Sequence, residues 1–354
     1  MRRYLLGVMT GRERGVGAAI LKVVLSALTV VYYAAHKFRH FLYRAGLLRS
    51  VRLPVPVISV GNLTAGGTGK TPFVEMIARR LAKRNLRVAI LARGYGRTEP
   101  GRDDEEILAE MELENVVRLT GRDRVANARR AIAECRADII ILDDGFQHFR
   151  IRRDLDILMI DATDPFAGGH LLPRGLLRER PACAARADLI VLSRCDQTSA
   201  GELAALRDRI DRIARPLVET AHRPVTVRTL ATKKRQPLEW LRGRRVYAFC
   251  GIGNPESFRR TLESLGAEVV KFRAFEDHHP YTPRDARQLS AEAQEFMADT
   301  LITTEKDATK LAPEAFDLPL CALRVEIEVT RGDERIEQCL RALSREATPV
   351  GVAP

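Results

Sequence analysis

From Leu53 to Pro72 the chain reads LPVPVISV followed by GNLTAGGTGKTP, an apolar run that ends in a glycine-rich turn and a Gly-Lys-Thr triplet. The run reads as a buried strand because it is short, β-branched and bounded by prolines. Phe73, Ile77 and Leu81 then recur at helical spacing, and Pro72 suits a first helical turn. Strand, glycine-rich turn, Gly-Lys-Thr and helix are the context of a phosphate-binding P-loop. Gly66, Gly67 and Gly69 let backbone N–H groups converge on phosphate oxygens, with Thr68 among them. Lys70 reaches the terminal phosphates, and the Thr71 hydroxyl is a ligand for Mg2+. The strict pattern has a further glycine where this chain has Thr64. The stretch predicts binding of a nucleoside triphosphate.

A second apolar run, Asp138 to Leu142, ends in Asp143-Asp144-Gly145. Two adjacent carboxylates at a strand's carboxyl end repel each other unless a cation neutralises them, so Asp143 and Asp144 are read as the magnesium site. Further runs at 88–92, 155–160 and 189–193 alternate with helical patterns at 122–134 and 202–213. This βαβ alternation predicts an α/β fold: a P-loop NTPase-like, mainly parallel sheet at 51–218. Residues 219–240, polar, basic and proline-containing, read as a linker, and a smaller α/β domain follows at 241–346. Residues 347–354 read as a frayed tail.

The 354 residues carry 58 Lys/Arg against 46 Asp/Glu, a net charge of +12, and the excess is local. Residues 1–50 hold nine Lys/Arg and one acid, Glu13, so this stretch supplies +8. With the remainder nearly balanced, a nucleic-acid groove is disfavoured. Within 16–35 nearly every residue is apolar, while Arg14, Lys22, Ser26, Thr29, Tyr33, His36, His40 and Arg44 form one polar stripe on a continuous helix. A core helix and a membrane span are the competing readings. A helix lying in the interface, with basic groups near anionic headgroups, accounts best for the stripe. The six cysteines are at least 12 residues apart and include no CxxC pair, which indicates neither a zinc ribbon nor a disulfide framework. His278 and His279 make a poor metal pair, because adjacent side chains diverge.

Eight blocks then become specific in their order: GNLTAGGTGKTP at 61–72, ARGYGR at 92–97, TGRDRVANA at 120–128, ILDDGFQH at 141–148, LLPRGLLRE at 171–179, GIGNPESF at 251–258, DHHPYT at 277–282 and TTEKDATKL at 303–311. Together they resemble the tetraacyldisaccharide 4'-kinase family, which phosphorylates the lipid A precursor, from about residue 50 to about residue 325. The resemblance implies transfer of the γ-phosphoryl of ATP, with Mg2+, to the 4'-hydroxyl of a tetraacylated glucosamine disaccharide 1-phosphate. It also implies a peripheral enzyme on the cytoplasmic face of the inner membrane, and two lobes joined by a short two-stranded linker; no obligate protein partner is inferred. Asp104 matches the family's catalytic aspartate and His278 its companion, while Arg178 and Glu179 match a pair near the phosphates. The family's Gly-Asp-Glu-Pro is Asp103-Asp104-Glu105-Glu106 here, and the stretch before it is short, so Asp103 is the alternative base.

A membrane-recruited P-loop ATPase acting as a switch would share the P-loop, the aspartate pair and the N-terminal helix, but would need no acceptor-side base. A kinase for a soluble acceptor would not need the apolar helix.

Overall fold

A computed structural model describes residues 2–11, 13–93, 115–277 and 279–346. Two N-terminal helices, α1 (Arg2–Met9) and α2 (Val16–Arg44), precede β1 (Val57–Asn62), α3 (Lys70–Ala82), β2 (Val88–Ala92) and β3 (Val116–Thr120). Next come α4 (Arg124–Glu134), β4 (Ile139–Asp143), β5 (Leu155–Asp161), β6 (Leu189–Ser193) and α5 (Ala200–Asp211). The chain continues through β7 (Leu217–Thr229), β8 (Arg235–Gln236), β9 (Arg245–Cys250), α6 (Pro255–Ser264) and β10 (Glu268–Ala274). It closes with α7 (Pro283–Glu295), β11 (Thr300–Thr304), the single turn α8 (Glu305–Ala308), β12 (Leu320–Arg331) and α9 (Asp333–Glu346).

Among the described residues the strands form one sheet, in the order β10-β9-β11-β12-β7-β6-β5-β1-β4-β2-β3, with β8 on the side of β7. Every pairing is parallel except β7 with β12 and with β8. The long antiparallel β7/β12 pair joins two parallel halves, and it occupies part of the segment expected to be a linker. Pro224 of β7 sits where the register slips, opposite the step from Arg324 to Val325, so the donor it lacks falls at an irregularity of the ladder.

The first predicted strand is shorter than its apolar run. Pro54 and Pro56 cannot donate to a ladder, so pairing begins at Val57 and continues to Asn62. Strand β4 shows why the runs are continuous rather than alternating. Ile139 and Ile141 pack with Phe73, Ile77 and Leu81 of α3 on one face, while Ile140 and Leu142 pack with Val125 and Ala128 of α4 on the other. Each face is covered by helix, as parallel sheets require. Phe73 is fully buried, and truncating such a side chain costs about 3–5 kcal/mol.

The α1/α2 hairpin has a small core of its own in Val8, Ala18 and Leu25. Among the described residues, α2 is the one helix long and apolar enough to cross a membrane by length and composition. Its polar stripe docks on the lobe. Thr29 Oγ1 accepts from Arg174 N at 3.2 Å, Tyr32 Oη donates to the Arg178 carbonyl at 2.9 Å, and the Arg180 guanidinium lies 3.9 Å from the Tyr33 ring centroid. Outward stand Ile20, Val23, Val30, Val31, Phe38 and Phe41, each more than half exposed.

Candidate active site

Strand β1 sits between β4 and β5, with Val60 in register with Asp143, so the P-loop and the Asp143-Asp144 pair emerge side by side. Such a crevice at the carboxyl ends of parallel strands is where open α/β sheets bind ligands.

Side chains from outside the loop hold its carbonyls. Asn62 Nδ2 donates to the Gly66 carbonyl at 3.3 Å, Arg194 Nη2 to that of Gly67 at 3.0 Å, and Ser193 Oγ to that of Thr68 at 2.9 Å. Tying carbonyls back suits a loop whose N–H groups are to meet phosphate oxygens. Thr68 Oγ1 is buried with no partner, a polar atom that a bound phosphate would satisfy. Gly69 has φ 78°, and a Cβ there would stand 2.7 Å from His222 Nε2, so both conformation and space demand glycine. The second lobe closes on the same loop: a Cβ on Gly253 would fall 1.9 Å from Gly67 N.

Across the loop, Lys70 Nζ lies 3.4 Å from Asp144 Oδ1, and Arg178 Nη1 donates to both Asp144 oxygens at 2.9 and 2.8 Å. Burial opposes ionisation of Asp144, but Lys70 and Arg178 outweigh it and hold the carboxyl down at about 2. Burial likewise pulls the Lys70 ammonium below its ordinary value, against the attraction of Asp144. Arg118 Nη2 donates to Asp143 Oδ2 at 3.2 Å. Arg124 donates to the Asp143 and Asp144 carbonyls at 2.7 and 3.0 Å, fixing the turn that carries the pair. Asp123 caps α4 just before it, accepting from Val125 N and Ala126 N, which gives the Gly-Arg-Asp-Arg block a positioning role. Thr71, Asp143 and Asp144 present only oxygen donors, a set that fits Mg2+.

The predicted residues thus fall into three groups. Gly66, Gly67, Thr68, Gly69, Lys70, Thr71, Asp143, Asp144 and Arg178 converge at one mouth. Glu179 turns away: its carboxylate is buried against Arg186, at 2.5 and 3.2 Å, and faces α2. Asp104 and the alternative Asp103 lie outside the described residues, as does His278. The residues on either side of His278 are described. Gly251 N donates to Asp307 Oδ2 at 2.8 Å, and a Cβ on Gly251 would meet Glu276 O and His279 Cβ. The GIGNPESF, DHHPYT and TTEKDATKL blocks therefore meet at the end of β9, in the lobe whose Gly253 touches the P-loop.

Several site residues were given no role by the sequence, although Gln147 and Asn254 lie within the quoted blocks. Gln147 bridges the Asn62 carbonyl and Arg178, and Arg194 pairs with Asp161 while gripping the loop. Asn254 Nδ2 donates to the same Asp161 at 3.2 Å. They come from three separate parts of the chain, and only the fold brings them together.

A P-loop on β1, an aspartate pair on β4 and a buried lysine between them define a P-loop phosphotransferase. The sequence profile of LpxK, tetraacyldisaccharide-1-P 4'-kinase, matches residues 21–345. A tetraacyldisaccharide 4'-kinase of Anaeromyxobacter sp. (strain Fw109-5) is 42% identical over 352 residues, covering 94% of either chain. One of Syntrophus aciditrophicus (strain SB) is 41% identical over 335 residues, covering 87% of this chain and 89% of its own. The crystal structure of LpxK from Aquifex aeolicus, determined in complex with ATP, matches with a TM-score of 0.68 at 30% identity, covering 91% of this chain and 99% of that one. The chain belongs to the tetraacyldisaccharide 4'-kinase family, kinases of lipid A biosynthesis.

Proposed function

We propose that this chain transfers the γ-phosphoryl of ATP to the 4'-hydroxyl of a tetraacylated glucosamine disaccharide 1-phosphate, at the cytoplasmic surface of the inner membrane. The observation that carries the reading is the Lys70–Asp144–Arg178 cluster at the P-loop mouth. Lys70 neutralises charge on the transferring phosphoryl, and Arg178 holds Asp144 beside it. Thr71, Asp143 and Asp144 would hold Mg2+, whose charge screens the phosphates when it is bound. A sugar hydroxyl is a weak nucleophile, so Asp104 accepts its proton and His278 orients or tunes that carboxylate.

The helix α2 supports a position in the plane of the membrane surface. Its residues from Thr29 onward are docked through Thr29, Tyr32 and Tyr33. The undocked part, Val16 to Leu28, is about 20 Å long, short of the roughly 30 Å hydrocarbon core. Its outward apolar residues then enter lipid beside the lobe, where the acceptor's acyl chains remain while its sugar head enters the cleft.

The test is phosphate transfer from ATP to tetraacyldisaccharide 1-phosphate in mixed micelles. Wild type transfers, and Lys70→Ala abolishes turnover with any acceptor. Asp104→Asn lowers kcat by about 10²- to 10⁴-fold with ATP binding retained. Transfer unaffected by Asp104→Asn moves the base to Asp103. A wild type that hydrolyses ATP without transferring it overturns the proposal in favour of a membrane-recruited ATPase.

A further inference from the structure

The polar stripe of α2 ends against Glu179, in an arrangement the phosphotransfer chemistry does not use. His36 and His40 stand one turn apart with ring centroids 4.6 Å apart, and His40 Nε2 lies 3.8 Å from Glu179 Oε2. One ligand atom from each of the three residues falls within 4.8 Å of the others. His40 Nε2 is buried with no hydrogen-bond partner, an orphaned lone pair or N–H aimed at a buried carboxylate. The Cys183 thiol is pushed above its ordinary value by burial and by the charge of that same carboxylate.

We propose that His36, His40 and Glu179 form a binding site for a divalent cation of the Zn2+ class, which pins α2 to the loop carrying Arg178. Two imidazoles and one carboxylate, with a position left over for water or for the Cys183 sulfur, are a common tetrahedral zinc donor set. Donors at about 2.0–2.2 Å from such an ion lie about 3.4 Å from one another, which small side-chain rotations achieve from the present spacing. Burial lowers both imidazoles from their ordinary value, which favours the neutral form that binds an ion. Nitrogen donors select a borderline-soft ion, so Mg2+ goes to the oxygens of the P-loop site and not here.

Arg186 is the competitor. Its guanidinium occupies both Glu179 oxygens, and it also lies 4.3 Å from the Phe146 ring centroid and donates to the Phe146 carbonyl at 3.2 Å. When Glu179 turns toward the ion, Arg186 keeps its contacts with Phe146. Because Arg178 precedes Glu179 and grips Asp144, the ion would tie the outer helix to a residue adjoining the nucleotide site.

The test uses the full chain, free of any histidine tag, stripped of metal in detergent and titrated with Zn2+ against a chromophoric chelator. One Zn2+ per chain is expected. Its affinity should fall more than about 100-fold in His36→Gln/His40→Gln, exceeding the loss from removing an outer-shell partner. Millimolar Mg2+ should not displace it. Arg186→Met should bind Zn2+ more tightly than wild type, and Zn2+ should raise its Tm more, because the competing cation is gone. Mere structural damage would not produce that gain. Should the histidine variant fail to fold, Co2+ on the wild type decides: intense tetrahedral d–d bands support the site, and a weak octahedral spectrum overturns it. A wild type that cannot hold Zn2+ against the chelator, or a histidine variant that binds as wild type does, also overturns it.

Discussion

Glu75 stands one turn into α3, walled in by Arg79, Glu305, Arg324 and Glu326 in a cleft between that helix and β12. Burial, partly offset by Arg118, pushes its carboxyl up to about 7. A carboxyl raised in the folded state favours folding only while it is protonated. Stability is therefore lost as pH rises from the unfolded value near 4.5 toward 7, and the loss is complete above 7. Glu75→Gln removes that loss. The full shift corresponds to roughly 3 kcal/mol, and residual exposure screens it to about 1–2 kcal/mol. Denaturant unfolding of both proteins at pH 5 and pH 8 checks it: the variant should gain at pH 8 and match wild type at pH 5. Equal gains at both pH values would place the effect in packing instead. Nothing in the sequence marked Glu75, since glutamate is an ordinary helix former. That Lys70, Asp143 and Asp144 stand together was legible, because the P-loop pattern restricts residue types and their spacing along the chain. Arg118 and Arg124 act on the aspartates from other elements, where spacing along the chain carries no information.

The P-loop takes much of its shape from neighbouring strand ends. Arg194, in the left-handed region at φ 58° just past β6, is buried, pairs with Asp161 at the end of β5 and donates to the Gly67 carbonyl. Arg194→Lys keeps the charge for Asp161 but loses the forked second donor. A charge-assisted hydrogen bond is worth about 1.5–3 kcal/mol, so KM for ATP should rise about tenfold or more, with a smaller change in kcat. Steady-state kinetics at saturating acceptor measure this. An unchanged KM would mean that Ser193 and Asn62 hold the loop without it. Elements buried on both faces were the easiest to read: β2 and β6 have the expected bounds, because a continuous apolar run can serve only a covered strand. Strand β7 was obscured. In HRPVTVRT only Val227 is buried, and the proline sits at the register slip, so polarity and proline together imitate a linker. The polar stripe of α2 was legible as a pattern, whereas its partner was not: the stripe meets the 171–180 loop, more than 130 residues away in sequence.

Most of the molecule's unneutralised charge, and among the described residues most of its exposed large apolar side chains, lie in one segment. Residues 1–50 carry +8 of the +12, and α2 turns its polar stripe inward to the lobe and its valines outward. A helix packed as part of the core would bury that apolar side, yet Val23 is 70% and Val31 65% exposed. If the outward side enters lipid, Val23→Glu/Val31→Glu removes apolar burial worth roughly 1.5 kcal/mol or more per valine and puts two acids against an anionic surface. Binding to vesicles of anionic phospholipid should then fall at least about tenfold per substitution, while ATP binding and Tm stay near wild type because neither side chain touches the lobe's core. Transfer to a micellar tetraacylated acceptor should fall with vesicle binding, whereas phosphorylation of a short-chain soluble acceptor should not. Cosedimentation at low and high salt separates the contributions, since the basic residues' share is screened and the valines' share is not. Vesicle binding unchanged by the double substitution would move the membrane contact off α2 and leave its apolar side to a protein partner or a second copy of the chain.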